Sequence, residues 1–147
     1  MAQKALNLED IVAGNIIQTK GIGSMTWLKD GERYSRLENN KQTGGTDIVA
    51  YRAKDNSREV IIPSSLLTDK STGRPIPVRS VSWSADNEKV LIYNNTRRVW
   101  RYDTRGDYWV LNLKDGALRQ LGKGMPESSM MFAKFSPDGT RVAYVST

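Results

Sequence analysis

The densest group of side chains able to do chemistry is residues 97–105 (RRVWRYDTR), where four arginines are interleaved with aromatic residues. A guanidinium stays charged at neutral pH and presents a planar fork of donors that suits carboxylates, phosphates and carbonyl oxygens. Two interpretations stay open. The stretch is either a solvated strand whose arginines pair with Asp103 and Asp107, or a site in which one or two arginines bind a ligand carboxylate or carbonyl.

Nucleic acid is not an expected partner, although the formal net charge is +6. Lysine and arginine alternate with aspartate and glutamate along the whole chain, without a basic block. No nucleic-acid recognition motif accompanies the arginine run. A basic, solvated surface therefore accounts for the charge.

Catalysis is limited by two missing residue types, because the 147 residues include no histidine and no cysteine. A Ser-His-Asp or Cys-His triad, and any thiolate or imidazole metal site, cannot be assembled from such a chain. The glycine-rich residues 21–24 (GIGS) and 43–46 (TGGT) lack the Lys-Ser/Thr of a phosphate loop, and we interpret them as turns. We expect no catalytic residue, no metal and no cofactor in this chain. No apolar run reaches the roughly 20 residues of a membrane span.

One short pattern occurs three times along the chain. An aromatic residue is followed three positions later by aspartate and then by glycine or asparagine, within stretches that alternate in polarity. The copies are residues 26–37 (TWLKDGERYSRL), 82–93 (SWSADNEKVLIY) and 134–145 (KFSPDGTRVAYV). Asp-Gly and Asp-Asn favour the positive φ angles of tight turns, so each copy predicts a β-hairpin.

A second hairpin follows the first two copies, beginning at Asp47 (DIVAY) and at Asp107 (DYWVL). Four antiparallel strands in a unit of roughly 50 residues are typical of a propeller blade. We predict an all-β fold, an incomplete β-propeller of about two and a half four-stranded antiparallel blades with a short N-terminal helix at residues 6–14. A β-sandwich with turns at similar intervals is the alternative.

The predicted organisation is an N-terminal segment, residues 1–20, and a partial propeller, residues 21–147. The units are residues 21–63, 78–123 and 130–147, the last with only its first hairpin. Because a closed propeller needs four to eight blades, we expect this chain to be part of a larger protein. Open sheet edges favour pairing with another chain, so a homo-oligomer is an expected partner state.

Four stretches together resemble the N-terminal region of the dipeptidyl peptidase IV family, and in particular its bacterial members. They are LNLEDI, SMTWLKDGERY, RVWRYDTRGDYWVLNL and FSPDGTRVAYV. The resemblance implies a dimeric serine exopeptidase of the prolyl oligopeptidase superfamily that releases dipeptides with Pro or Ala second. It also implies that the triad lies in a C-terminal α/β-hydrolase domain, that this chain alone is inactive, and that the parent is located in the periplasm or cell envelope.

The resemblance implies one functional residue here. The family places an arginine directly after an aromatic residue, where it contacts the substrate backbone, and Trp100-Arg101 matches that pattern. Arg101 is therefore the expected substrate-binding residue, with a peptide as its partner. The family often continues with His-Ser, whereas Tyr102 and Asp103 follow here. A non-catalytic propeller that serves as an envelope scaffold is the alternative, and it would lack the hydrolase domain.

Overall fold

A computed structural model describes Asn7, Leu8, Val12, Gly21 and residues 23–147. Leu8 and Val12 are helical, and the rest of the helix predicted at residues 6–14 lies outside the described residues. The division of the chain at residue 20 therefore stays a prediction. No helix in the described part of the chain has the length and apolar character needed to cross a membrane.

The first sheet contains four antiparallel strands that are neighbours in chain order. They are β1 (Met25–Trp27), β2 (Arg33–Asn39), β3 (Thr46–Arg52) and β4 (Arg58–Ile62). Gly31, in the β1–β2 turn, has a φ of 70°, and Asn56, in the β3–β4 turn, has a φ of 56°. The two predicted hairpins thus turn where the sequence places Asp-Gly and Asp-Asn.

The connection to the next unit begins with a 3₁₀ turn, Ser64–Leu67, and continues as a small two-stranded ribbon. Its strands are β5 (Thr68–Asp69) and β6 (Arg74–Pro75). Leu67 and Ile76 are buried on either side of this ribbon. The crossing segment is therefore fixed to the core at both ends.

The second sheet is built from β7 (Ser80–Trp83), β8 (Lys89–Val99), β9 (Tyr102–Asn112) and β10 (Leu118–Gln120). All neighbours are antiparallel. A last hairpin, β11 (Met130–Phe135) and β12 (Val142–Ser146), joins the start of β9 through the pair Met130 and Gly106. The predicted fold class is confirmed: the described chain is all-β apart from short helical turns, with two four-stranded antiparallel units and one further hairpin.

Strand β8 contributes to two cores from its two faces, as expected because successive side chains of a strand point to opposite sides. Val90 and Ile92 belong to a core shared with the first sheet, and Leu91 belongs to a core shared with the last hairpin. The other buried members of the first core are Ile48, Ile62, Leu67, Ile76 and Leu111, and those of the second are Tyr108, Met130 and Ala133. The units therefore pack side by side through their sheet faces, the arrangement that consecutive blades require.

The repeated turn is held by a serine hydroxyl. In the third copy, the Ser136 Oγ donates to the Asp138 Oδ1 at 2.5 Å and accepts from the Arg141 backbone amide at 3.0 Å. Ser84 and Asp86 form the same bond in the second copy, also at 2.5 Å. The first copy has no serine at this position. The hydroxyl thus links the two ends of the turn in the last two units.

Acidification is expected to loosen the last hairpin. The Ser136 hydroxyl and the Thr140 backbone amide lower the pKa of Asp138 to about 2 from an ordinary value of 3.8. A carboxyl with a lowered folded-state pKa stabilises the fold above its unfolded pKa, and that contribution is lost as the pH falls through the folded value. Between pH 4 and pH 2 we expect faster amide exchange at residues 130–146, after correction for intrinsic rates.

Asp138→Asn provides the matched variant for this measurement, because it keeps the shape of the side chain and removes its titration. The acid-dependent step in amide exchange at residues 130–146 should disappear. The equivalent turn at Asp86 should keep its own acid-dependent step. An identical pH profile in the variant would contradict the assignment of the step to Asp138.

Candidate functional site

Strands β8 and β9 continue past β7 and β10 and form an arm, residues 94–107, which β11 joins at its base through the pair Gly106 and Met130. Strand β7 pairs with β8 only as far as Tyr93, and β10 pairs with β9 only from Trp109 onward. The arm ends in a two-residue turn, Trp100 and Arg101, closed by the pair Val99 and Tyr102. The arm therefore carries the arginine-rich residues 97–105 at its outer end.

The tip of the arm is exposed and its turn is sterically unusual. Trp100 has a φ of 61°, a left-handed conformation that most side chains avoid. Its side chain is 94% exposed, that of Tyr102 is 73% exposed, and Arg101 is exposed between them. The tip of the arm therefore exposes two large aromatic side chains on either side of the Arg101 guanidinium.

Tyr93 fixes the arm to the sheet. Its hydroxyl lies 3.0 Å from the carbonyl oxygen of Asp103 and 2.9 Å from that of Arg105. Its ring stacks on Tyr108 with 4.8 Å between centroids and passes over Gly106, where an added Cβ would lie 2.3 Å from the Tyr93 Cε2. Burial raises the pKa of Tyr93 to about 12, so the hydroxyl remains protonated and able to donate.

A buried carboxylate, Asp107, holds the base of the arm. Its Oδ2 accepts from the Asn95 Nδ2 at 2.7 Å, and its Oδ1 accepts from the Ser128 backbone amide at 2.8 Å. Asn95 itself has a φ of 43°, at the point where the β8–β9 register shifts. One carboxylate therefore ties the irregular start of the arm to the segment leading into β11.

In the first sheet, Asp47 accepts the same two kinds of hydrogen bond as Asp107 does. Its Oδ2 accepts from the Asn40 Nδ2 at 3.0 Å and its Oδ1 accepts from the Ser64 backbone amide at 2.7 Å. Burial by itself would raise the pKa of Asp47, but the bonds from Ser64 and Asn40 outweigh it, and the pKa is lowered. The common offset of Asp47 and Asp107 was visible in the sequence. The asparagine partners were missed, because Asn40 and Asn95 occupy different places in their hairpins.

The four arginines of residues 97–105 lie on the arm but form no ion pair with any residue that the structure describes. Arg97, Arg98 and Arg101 are exposed, and Arg105 is half-buried. Asp103 pairs instead with Arg79, at 3.5 Å.

Both carboxylates that the first interpretation assigned to these arginines are therefore engaged elsewhere, since Asp107 is held by Asn95 and Ser128. The second interpretation, in which one or two of the arginines bind a ligand, stays a prediction. In the described part of the chain, no three metal-ligating side chains come together. The contact of Arg101 with a substrate stays a prediction.

Comparison with known proteins gives a family match over the C-terminal part of the chain. Residues 84–147 match the family model described as "Dipeptidyl peptidase IV (DPP IV) N-terminal region". The probable dipeptidyl-aminopeptidase B of Aspergillus oryzae is 26% identical over 117 residues, 79% of this chain and 12% of that protein. The dipeptidyl aminopeptidase B of Saccharomyces cerevisiae is 26% identical over 145 residues, 92% of this chain and 16% of that protein. This chain thus spans less than a fifth of these relatives.

A solved structure shares the fold over nearly the whole chain. The crystal structure of Porphyromonas gingivalis dipeptidyl peptidase 4 aligns with a TM-score of 0.67 at 20% identity. The alignment covers 99% of this chain and 20% of that one. The arm lies inside the segment that matches the family model.

Proposed function

We propose that this chain is part of a bacterial serine exopeptidase of the dipeptidyl peptidase IV family, since residues 84–147 match the model of that family's N-terminal region. The parent enzyme removes Xaa-Pro and Xaa-Ala dipeptides from peptide N-termini. This part is inactive alone and forms one wall of the substrate chamber. The family match over the arm and its flanking strands is the observation that carries the proposal.

Arg101 is the residue through which this part acts on the substrate. It lies at the exposed tip of the arm, without an ion-pair partner among the described residues, and its guanidinium is free to donate to a peptide carbonyl or carboxylate. The arm itself is fixed by Tyr93 and Asp107, so the guanidinium is presented from a supported strand pair rather than from a loose loop. Such support limits the entropy lost when a peptide binds.

On the family resemblance, the catalytic serine, aspartate and histidine belong to a C-terminal α/β-hydrolase domain of the parent. The 147 residues contain no histidine and so do not supply that member of the triad. The relatives and the solved structure reported above are all named as peptidases, which favours this proposal over a non-catalytic scaffold. We place the parent in the periplasm or cell envelope, on the family resemblance. Strand β12 leaves Tyr144 39% and Val145 51% exposed, so pairing with a further strand or a second copy suits this edge.

The test is a peptidase assay on the parent enzyme with the 147-residue chain as control. We expect the parent to release a chromophore from an Xaa-Pro substrate with a free amino terminus. Acetylation of that terminus should abolish cleavage, and the isolated chain should be inactive. A folded parent that cleaves neither Xaa-Pro nor Xaa-Ala substrates would overturn the proposed function.

A further inference from the structure

Two arginines of the arm lie directly opposite each other. Arg97 on β8 is the cross-strand partner of Arg105 on β9, and the register shifts on both sides of this pair. Directly opposed residues of antiparallel strands have their Cβ atoms about 5 Å apart on the same face, and like charges in such positions destabilise the hairpin. Register irregularities of this kind often redirect side chains near binding sites.

The repulsion between these arginines has no compensation in the described part of the chain. Two acidic residues lie two positions from Arg105: Asp103 pairs with Arg79, and Asp107 accepts from Asn95 and Ser128. The Arg105 Nε is buried and has no hydrogen-bond partner among the described residues. A buried guanidinium nitrogen without an acceptor is costly, because its hydration is lost and nothing replaces it.

We propose that Arg97 and Arg105 together bind a carboxylate of the peptide substrate, so that the parent enzyme prefers peptides with an acidic residue downstream of the cleaved bond. This inference rests on the proposed function and names its substrate class. A carboxylate between two guanidiniums accepts from both, removes their repulsion and supplies the missing acceptor of the Arg105 Nε. Paired arginines suit the planar geometry of a carboxylate better than a single ammonium does.

The direction along the substrate follows from the contact proposed for Arg101. Arg97 lies four positions before Arg101: two strand steps to Val99, roughly 7 Å at about 3.3 Å per residue, and then the turn of Trp100 and Arg101. If Arg101 contacts the departing dipeptide, the substrate has only two residues on that side of the cleaved bond and continues on the other side. The proposal therefore places the carboxylate downstream, within about four or five residues of the cleaved bond.

The test uses the parent enzyme and pairs of Ala-Pro peptides that differ only by glutamate or glutamine, placed in turn at the third to seventh residue. We expect the glutamate peptide to have a kcat/KM about two- to fivefold higher at one or two adjacent positions, the size of effect typical of a partly exposed charge pair. The preference should shrink as the salt concentration rises. In Arg97→Gln and in Arg105→Gln, the ratio of kcat/KM for the glutamate peptide to that for the glutamine peptide should fall to about one. Arg97→Lys should keep part of the preference for glutamate.

Arg119→Gln is the matched control, because Arg119 is exposed on β10, outside the arm, and the substitution removes the same charge. Its glutamate-to-glutamine ratio should equal that of the wild type. Arg97 is exposed, so Arg97→Gln remains informative even if the half-buried Arg105→Gln fails to fold.

The outcomes separate the two proposals. Failure of the wild type to cleave any Ala-Pro peptide would overturn the proposed function. Cleavage with a ratio of one at every position would overturn the carboxylate site alone. A preference that survives in Arg97→Gln would also overturn it, since another cation would then be responsible.

Discussion

Replacing Arg101 with alanine in the parent enzyme is expected to lower kcat/KM for an Xaa-Pro substrate by about 10- to 100-fold. A hydrogen bond to a charged group contributes about 1.5–3 kcal/mol, and each 1.4 kcal/mol corresponds to a factor of ten. Arg101 is exposed and has no ion-pair partner in the described part of the chain, so its removal should leave thermal stability unchanged. Arg101→Lys should recover only part of the loss, because an ammonium cannot donate in a fork.

Arg98→Ala tests whether the effect belongs to position 101 rather than to the charge of the arm. Arg98 is also exposed, three residues away on the same hairpin. We expect its kcat/KM to stay within about twofold of the wild type. Equal losses in the two variants, or no loss in Arg101→Ala, would contradict a specific contact at the tip.

Gly106→Ala is expected to destabilise the arm and, through it, the site. The new Cβ would lie 2.3 Å from the Tyr93 Cε2 and 2.7 Å from the Asn94 backbone oxygen, so both the ring and the backbone would have to move. Overpacking of this kind costs about 1–3 kcal/mol. The measurement is hydrogen exchange of residues 94–107 in the parent, where we expect rates to rise by about tenfold or more while β2 and β3 keep theirs.

Gly21→Ala is the control for the generic effect of replacing glycine. At Gly21 an added Cβ meets no atom within 4 Å among the described residues, and the backbone φ is not in the left-handed region. In Gly21→Ala, the hydrogen-exchange rates of the arm should equal those of the wild type. Gly106→Ala with wild-type exchange and wild-type kcat/KM would show that Tyr93 can move aside at little cost, and would remove the role assigned to this glycine.

The sequence predicted the fold class because its signals are local. Asp-Gly and Asp-Asn turns at fixed offsets from an aromatic residue specify hairpins directly, and three copies specify the repeated unit. The arm was not predicted. Its length depends on β8 and β9 continuing beyond their neighbours, and no residue type in residues 94–107 signals that β7 and β10 end earlier.

The candidate site was predicted as a group of arginines, but its internal relations required the structure. Arg97 and Arg105 become opposite only through two register shifts, one of them beside Asn95 at a φ of 43°. Likewise, the pairing of Asp103 with Arg79 depends on the path between the two sheets. Sequence spacing left the closer arginines open as partners of Asp103, and the structure pairs Asp103 with Arg79 instead.

Because both faces of β8 are packed, the interfaces on its two sides can open separately when the protein unfolds locally. Since Val90 and Ile92 couple to one neighbour and Leu91 to the other, the units form a one-dimensional array in which each interface contributes separately to stability. Opening at the last hairpin would break one of these interfaces and leave the other intact. Among the described residues, the unit that carries the arm is held on both faces, so we expect its arginines to stay in place when either interface opens locally.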